Sequence, residues 1–256
     1  KKDWRPYLAI TIVYLFGLLI FVKSFSVGSI DQELAEAASG QGLGVKLSAA
    51  VSQVSSLAQN ATASISAASG VYQVIITTII SLAFIFAFRI ALSHEKPTAK
   101  KSLYSGMTPL VPYLLVLLML GLHLIPIAIG AYLFSLAIGL LYGAEVVLAV
   151  IGLLLFVWWT MFLLSHSIFA LIIVTLPDMT PLKALRSAKQ LVFKRRLLIW
   201  RKIILAALMI AVAAVLLLAV FVLWIPQFAS WAYFMFSVII LPLYHAFTYT
   251  LYREML

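Results

Sequence analysis

Three histidines lie inside long apolar runs, where an ionisable side chain is costly and is the first suspect for function. They are His123, His166 and His245, and His166 is flanked by Ser165 and Ser167. No two share the His-x-x-x-His spacing that places two metal ligands on one helix face, so a metal site would need three helices to converge. A neutral histidine can instead hydrogen-bond a serine, a threonine or a carbonyl group of a neighbouring helix. We expect such interhelical bonding, with a proton or substrate path and a metal site as the alternatives.

A second chemical feature is a run of cations between two of the apolar runs. Thr180 followed by Pro181 is typical of a helix N-cap and first turn, and Asp178 suits the positive end of a helix dipole. Apolar and basic residues then segregate to two faces, which predicts an amphipathic helix in the inner membrane interface within residues 179–202. Its cations are expected to contact anionic lipid headgroups, or alternatively one specific phosphate-bearing ligand. They are Lys183, Arg186, Lys189, Lys194, Arg195, Arg196, Arg201 and Lys202.

Catalytic constellations are missing from the sequence. It has no glycine-rich phosphate loop, no pair of acidic groups and no convincing Ser-His-Asp set. It also has no cysteine, which excludes disulfides, thiolate metal sites and cysteine nucleophiles. We therefore expect a non-catalytic protein with no cofactor and no bound metal.

The composition decides the class of protein. Of the 256 residues, 64% are hydrophobic and 10% are charged, whereas a soluble domain has roughly half and roughly a quarter. Polar surface is too scarce for a soluble enzyme, a disordered chain or a free nucleic-acid-binding domain. The net charge of +10 does not indicate nucleic acid, because the cations fall in short loops between apolar runs, as the positive-inside rule describes.

Six apolar runs are long enough to cross a bilayer, which needs about 20 residues each. They predict an all-α polytopic membrane protein with transmembrane helices at about 6–22, 71–92, 109–132, 147–175, 203–224 and 231–251. Pro126 and Pro242 are expected to kink the third and the sixth of them. With the N-terminus inside, 16 of the 18 Lys and Arg residues are cytoplasmic and only Lys23 and Lys46 are outside. We expect both termini to be cytoplasmic and the location to be a prokaryotic plasma membrane.

Residues 24–70 form the one sizeable segment outside the predicted membrane region. Small and apolar residues recur there at alternating steps of four and three, which predicts an extracytoplasmic helical segment with a heptad seam. The seam would lie on the protein's own bundle or on lipid headgroups, or it would dock a partner helix. It consists of Leu47, Val51, Val54, Ala58, Ala61 and Ile65.

The stretch from Leu176 to about Leu205 carries a resemblance to a known family. It has a Pro-acidic step, then Ala184-Leu185-Arg186-Ser187, then Leu191 before a basic patch and a new span. This pattern resembles a bacterial membrane family that includes the membrane domain attached to some glycerophosphoryl diester phosphodiesterases. The resemblance loosely covers residues 71–256 and implies a membrane module without assigned chemistry. It carries no catalytic residue into this chain.

Together these observations predict an integral membrane scaffold, anchor or accessory subunit that contacts anionic lipid and, through 24–70, a protein partner. A small transporter or lipid-handling protein is the alternative, with a cavity lined by polar residues of spans three, four and six. An intramembrane enzyme ranks last.

Overall fold

The computed structural model describes residues 4–22, 67–93, 96–140, 144–193, 195–224 and 228–256, and these residues are helical apart from short connections. We number the helices in chain order. They are α1 (Arg5–Gly17, continued by a π-helical turn Leu18–Val22), α2 (Ala67–Leu92), α3 (Ala99–Gly106), α4 (Leu110–His123), α5 (Ile125–Leu140), α6 (Ala144–Ile173), α7 (Pro181–Val192), α8 (Arg196–Trp224) and α9 (Ala229–Met255).

Five helical segments are long and apolar enough to cross a membrane. These are Gly70–Leu92, Leu110–Ala137, Glu145–Ile173, Arg196–Leu217 and Phe234–Met255. The first apolar run forms a shorter helical segment, Arg5–Ile20. At 1.5 Å per residue this segment is about 24 Å long, which is shorter than the hydrocarbon core of about 30 Å. The structure therefore has five full-length span candidates in its described residues, where the sequence predicted six.

The third span is interrupted near its middle, as predicted, and continues beyond its predicted end. Helix α4 stops at His123 and α5 starts at Ile125, because Pro126 has no N–H group to continue the α-helical pattern. The N–H of Leu124 bonds instead to the carbonyl of Gly121, at 3.0 Å. The predicted break at Pro126 is thus confirmed, whereas Pro242 lies within the unbroken α9. Beyond the predicted end at 132, the apolar helix continues to Leu140.

Residue contacts divide the described chain into two compact units. Unit 1 contains the described residues of Lys1–Met107 and Ile203–Phe247, and unit 2 contains those of Thr108–Lys202 and Thr248–Leu256. Helices α8 and α9 therefore contribute to both units.

Unit 1 is built around α2, against which α1 and α3 pack. A buried core joins α1, α2 and α9, and the ring of Tyr7 stacks on that of Phe88 with 5.0 Å between centroids. The core consists of Ile10, Tyr14, Ile80, Ala83, Phe84, Ala87, Phe234 and Val238. Helix α3 lies close to α2 because Gly106 has no side chain. A Cβ at Gly106 would lie 3.2 Å from the backbone of Leu82.

Unit 2 is built around α6, which packs against α4, α5 and α7. The closest approach is between α5 and α6, where a Cβ on Gly130 would lie 2.6 Å from the Cβ of Phe156. Helix α7 begins as predicted, with the Thr180 hydroxyl accepting a hydrogen bond from the N–H of Lys183 and with Pro181 in the first turn. It ends at Val192, so the predicted 179–202 helix is two elements. Arg196, Arg201 and Lys202 belong to α8.

The two short helices share one construction. In each, a threonine caps the helix by accepting from the N–H of a lysine three residues on, Thr98 from Lys101 and Thr180 from Lys183. In each, the small residues four and eight positions after the cap are buried. These residues are Ser102 and Gly106 in α3, and Ala184 and Ala188 in α7. Small side chains let a short helix lie close to the preceding span, which is why both helices pack there.

Candidate functional site

The structure brings together two of the three intramembrane histidines. His123 on α4 and His166 on α6 lie in unit 2, with their ring centroids 5.4 Å apart in an edge-to-face arrangement. His245 on α9 lies in unit 1, where its buried ring stacks against Phe84 at 6.2 Å and meets Tyr244 at 5.4 Å. The three histidines therefore do not lie together within either unit, and the cavity lined by polar residues of spans three, four and six stays a prediction.

His123 is held by a serine on the neighbouring helix. Its Nδ1 lies 2.7 Å from Oγ of Ser167, and that hydroxyl is 3.1 Å from the carbonyl oxygen of Leu163 on its own helix. A hydroxyl has one proton, so both bonds form together when Ser167 donates to Leu163 and the Nδ1–H of His123 donates to Ser167. The Nε2 atom of a neutral His123 is then the acceptor. Interhelical bonding of a histidine to a serine is thus confirmed for His123.

Two cations act on the ring of His166. They are Arg196 and Lys189, and no acidic side chain of the described residues is among its electrostatic neighbours. The backbone of Phe162, one turn earlier, is a hydrogen-bonding neighbour of this ring, whose Nδ1 atom is buried. His166 therefore lies in a positively charged environment.

Arg196 reaches this region from the first residue of α8. Its guanidinium carbon lies 3.8 Å from the centroid of the Phe162 ring and 5.7 Å from that of Phe193. Such stacking orients the planar guanidinium and leaves its edges for hydrogen bonding. The buried Nε atom has no partner in the described part of the chain. One turn later, the indole of Trp200 donates to the carbonyl of Met161 at 3.0 Å, which ties the start of α8 to α6.

Sequence reasoning placed Arg196 among the interfacial cations and missed its position beside His166. The signal that could have found it is the four-residue spacing of Phe162 and His166, which puts an aromatic ring and an imidazole on one face of α6. We call the group formed by His123, His166, Ser167, Arg196 and Lys189 the histidine–arginine cluster. The residues of this cluster lie within unit 2.

No family model, no curated protein and no solved structure matches this chain in the three comparisons with known proteins. What the site can do follows from its own chemistry. Nitrogen donors and positive charge, with an aromatic ring to orient the guanidinium, suit an anion. Among the described residues, no group of three or more His, Cys, Asp or Glu side chains could hold a metal ion.

The predicted basic residues that the structure describes lie on α7 and at or near the start of α8. Lys183, Arg186 and Lys189 are exposed on one face of α7, while Ala184 and Val192 are buried on the other. This confirms the amphipathic pattern of the short helix.

The remaining predicted cations lie at or near the start of α8. Arg195 and Arg201 are exposed, and Lys202 forms an ion pair with Glu254 near the end of α9. Lys194 lies outside the described residues, as do the seam residues Leu47, Val51, Val54, Ala58, Ala61 and Ile65.

Trp158 and Trp159 occupy the middle of the fourth span. The sequence predicts that they pack against small residues of a neighbouring helix, but they are 68% and 57% exposed. That prediction is wrong for packing within the described chain, because both side chains point away from it. Large aromatic rings at this depth are compatible with surrounding lipid, which is as apolar as a protein core.

Proposed function

We propose that this chain is a non-catalytic membrane anchor or scaffold that binds anionic lipid headgroups through the cytoplasmic face of α7. The observation that carries the proposal is the two-sided character of that helix. Ala184 and Ala188 fix one side of it inside the fold, while Lys183, Arg186 and Lys189 are exposed on the other. Cations near an anionic membrane surface contribute about 1 kcal/mol each.

The proposal includes six crossings with both termini in the cytoplasm of a prokaryotic cell. Five crossings are the full-length candidates, and α1 with its π-helical turn would be the sixth. The distribution of 16 of the 18 Lys and Arg residues on one side supports this orientation. The sequence pattern of 176–205 supports a relation to the membrane domain of glycerophosphoryl diester phosphodiesterases, and we keep that relation as part of the proposal.

The orientation can be tested with single cysteines, because the natural chain has none. We would place one at the exposed Gln190 of α7, one at the exposed Tyr104 of α3 and one at the exposed Glu145 of α6. An impermeant maleimide should label Glu145→Cys in intact cells, and Gln190→Cys and Tyr104→Cys in inverted vesicles only. Labelling of Gln190→Cys and Glu145→Cys from the same side would refute the topology.

Lipid binding can be tested in bilayers that contain spin-labelled phosphatidylglycerol or spin-labelled phosphatidylcholine. The fraction of immobilised lipid should be higher for phosphatidylglycerol, and this preference should fall in Lys183→Gln/Arg186→Gln. Gln190→Ala changes an exposed neutral residue of the same helix and is the matched control. An unchanged preference in the double variant would refute the anchoring role of α7.

A protein partner for residues 24–70 completes the scaffold proposal. Deletion of 45–69 should release a copurifying partner after gentle solubilisation, and retention of that partner would remove this part of the proposal.

A small transporter or lipid-handling protein is the second candidate. The histidine–arginine cluster favours it, because ionisable groups between spans commonly mark a substrate path. Substrate density between spans three and four, with affinity lost in His166→Ala, would favour this candidate over the scaffold.

A further inference from the structure

We infer that the histidine–arginine cluster of unit 2 is a discrete site for one phosphate group, with Arg196 and His166 as the groups that bind it. This inference deepens the proposed function, on which it rests, by separating one specific site from the general attraction of α7 for anionic lipid. The phosphate could belong to a lipid headgroup or be a free anion, since the recognising chemistry is the same.

The charge of the site is unbalanced. The acidic side chains of the described residues are Glu145, Asp178 and Glu254. Glu254 pairs with Lys202, and none of the three is among the charges that act on His166. Arg196 and Lys189 therefore act on the same ring without a compensating anion from the described chain. A bound phosphate would supply that missing charge.

One buried donor of the site lacks a partner among the described residues. It is the Nε atom of Arg196, whereas the ring of His166 has the backbone of Phe162 as a hydrogen-bonding neighbour. Buried polar atoms are costly unless they are bonded, so the Arg196 Nε atom indicates an absent partner. Arg196 stacks on the ring of Phe162, which lies one turn before His166.

The groups next to the site are held by further contacts. Ser167 holds His123, which meets the ring of His166, and Trp200 ties the first turns of α8 to Met161. Binding groups held by a second layer of contacts lose little freedom when a ligand arrives. An arginine that is oriented by stacking on Phe162 is suited to the paired oxygens of a phosphate.

Arg196 and Lys189 place the cluster at the cytoplasmic end of the proposed spans. Arg196 is the first residue of α8, and Lys189 is exposed on the α7 face that we assign to the inner headgroups. A phosphate at that surface is therefore the anion that the cluster would meet.

The test is native mass spectrometry of the full chain in detergent, titrated with phosphatidylglycerol or phosphatidylcholine. We expect one tightly bound phosphatidylglycerol, with at least tenfold weaker binding in Arg196→Gln and in His166→Ala, because each removes a bond to a charged group. Arg253→Gln removes one exposed cation elsewhere and should leave the tight lipid in place. Equal binding in Arg196→Gln and Arg253→Gln would overturn the inference.

Arg196→Lys provides a folded alternative if Arg196→Gln is unstable, since it keeps the charge and removes the paired donors. We expect weaker binding in Arg196→Lys too, and unchanged binding in both Arg196→Lys and His166→Ala would overturn the site. Inorganic phosphate separates the two sources. Competition with the tight lipid at millimolar concentration supports phosphate recognition from a headgroup. Phosphate binding that depends on Arg196, without any tight lipid, supports the site with a free anion as its ligand.

The experiment also separates failure of this site from failure of the proposed function. Lys183→Gln/Arg186→Gln should lose the general preference for phosphatidylglycerol, which tests α7. The same variant should keep the single bound lipid. If neither a tight lipid nor Arg196-dependent phosphate binding is observed, while the general preference of α7 for phosphatidylglycerol remains, the site is refuted and the anchor proposal stands.

Discussion

His123 and Ser167 stand 44 residues apart in the chain, and a 2.7 Å hydrogen bond between them joins α4 to α6. The flanking Ser165 has the same chemistry, but its hydroxyl donates to the carbonyl of Phe162 on its own helix, at 2.8 Å. The two serines therefore offer a test of which contact holds the helices together.

We expect a double-mutant cycle of His123→Ala and Ser167→Ala to give a coupling energy of about 0.6 kcal/mol, with about 1.7 kcal/mol as the upper end for such bonds in membranes. Unfolding in detergent measures it. The same cycle with Ser165→Ala should give no coupling, because Ser165 does not reach His123. Strictly additive effects of His123→Ala and Ser167→Ala would show that the bond contributes nothing to stability.

Gly130→Ala should destabilise unit 2. The added methyl group would lie 2.6 Å from Cβ of Phe156, so α5 and α6 must separate, and overpacking of this kind costs about 1–3 kcal/mol. Gly121→Ala and Gly152→Ala have open space around the added Cβ, and alanine favours the helix, so both should be neutral or slightly stabilising. Thermal unfolding in detergent ranks the three variants. An equal midpoint for Gly130→Ala and Gly152→Ala would contradict the close approach of the two helices.

Thr180→Ala should loosen the start of α7. The threonine hydroxyl satisfies the N–H of Lys183, and loss of an N-cap costs about 1 kcal/mol. Amide hydrogen exchange at residues 182–184 should become faster in Thr180→Ala and remain slow in Thr180→Ser. Exchange that is unaffected in Thr180→Ala would mean that packing on α6 alone fixes the helix.

Lys202→Gln should have little effect on stability. Lys202 and Glu254 form their ion pair at a partly exposed position, with 33% and 57% of the side chains exposed. Such pairs contribute about 0–1 kcal/mol, and salt screens them. We expect unfolding midpoints of the wild-type and Lys202→Gln proteins to agree in high salt and to differ slightly in low salt. A large loss at high salt would indicate a role for Lys202 beyond this pair.

The sequence predicts the local features of this chain better than its long-range ones. Thr180 and Pro181 define the start of α7 because capping depends on a few neighbouring residues. The end of α7 cannot be predicted in this way, because apolar and basic residues continue through 193–196. Only the structure shows that α8 begins at Arg196.

The candidate site depends on which helices meet, and periodicity does not contain that information. The sequence predicts a serine or threonine partner for an intramembrane histidine, but Ser165 and Ser167 are equivalent in that argument. It groups His245 with the other two histidines by burial alone, and the structure assigns it to unit 1 beside Phe84. The stacking of Arg196 on Phe162 is likewise a contact between distant segments.

The shared construction of α3 and α7 extends beyond this molecule. A threonine, a lysine at the third following position and small residues at the fourth and eighth make a nine-position signature, which can be sought directly after hydrophobic runs in other proteins. Where it occurs, a chain leaving the bilayer should fold back along its own last helix. In this polypeptide the signature occurs once in each compact unit, so each unit lays a short helix on a span by the same local device.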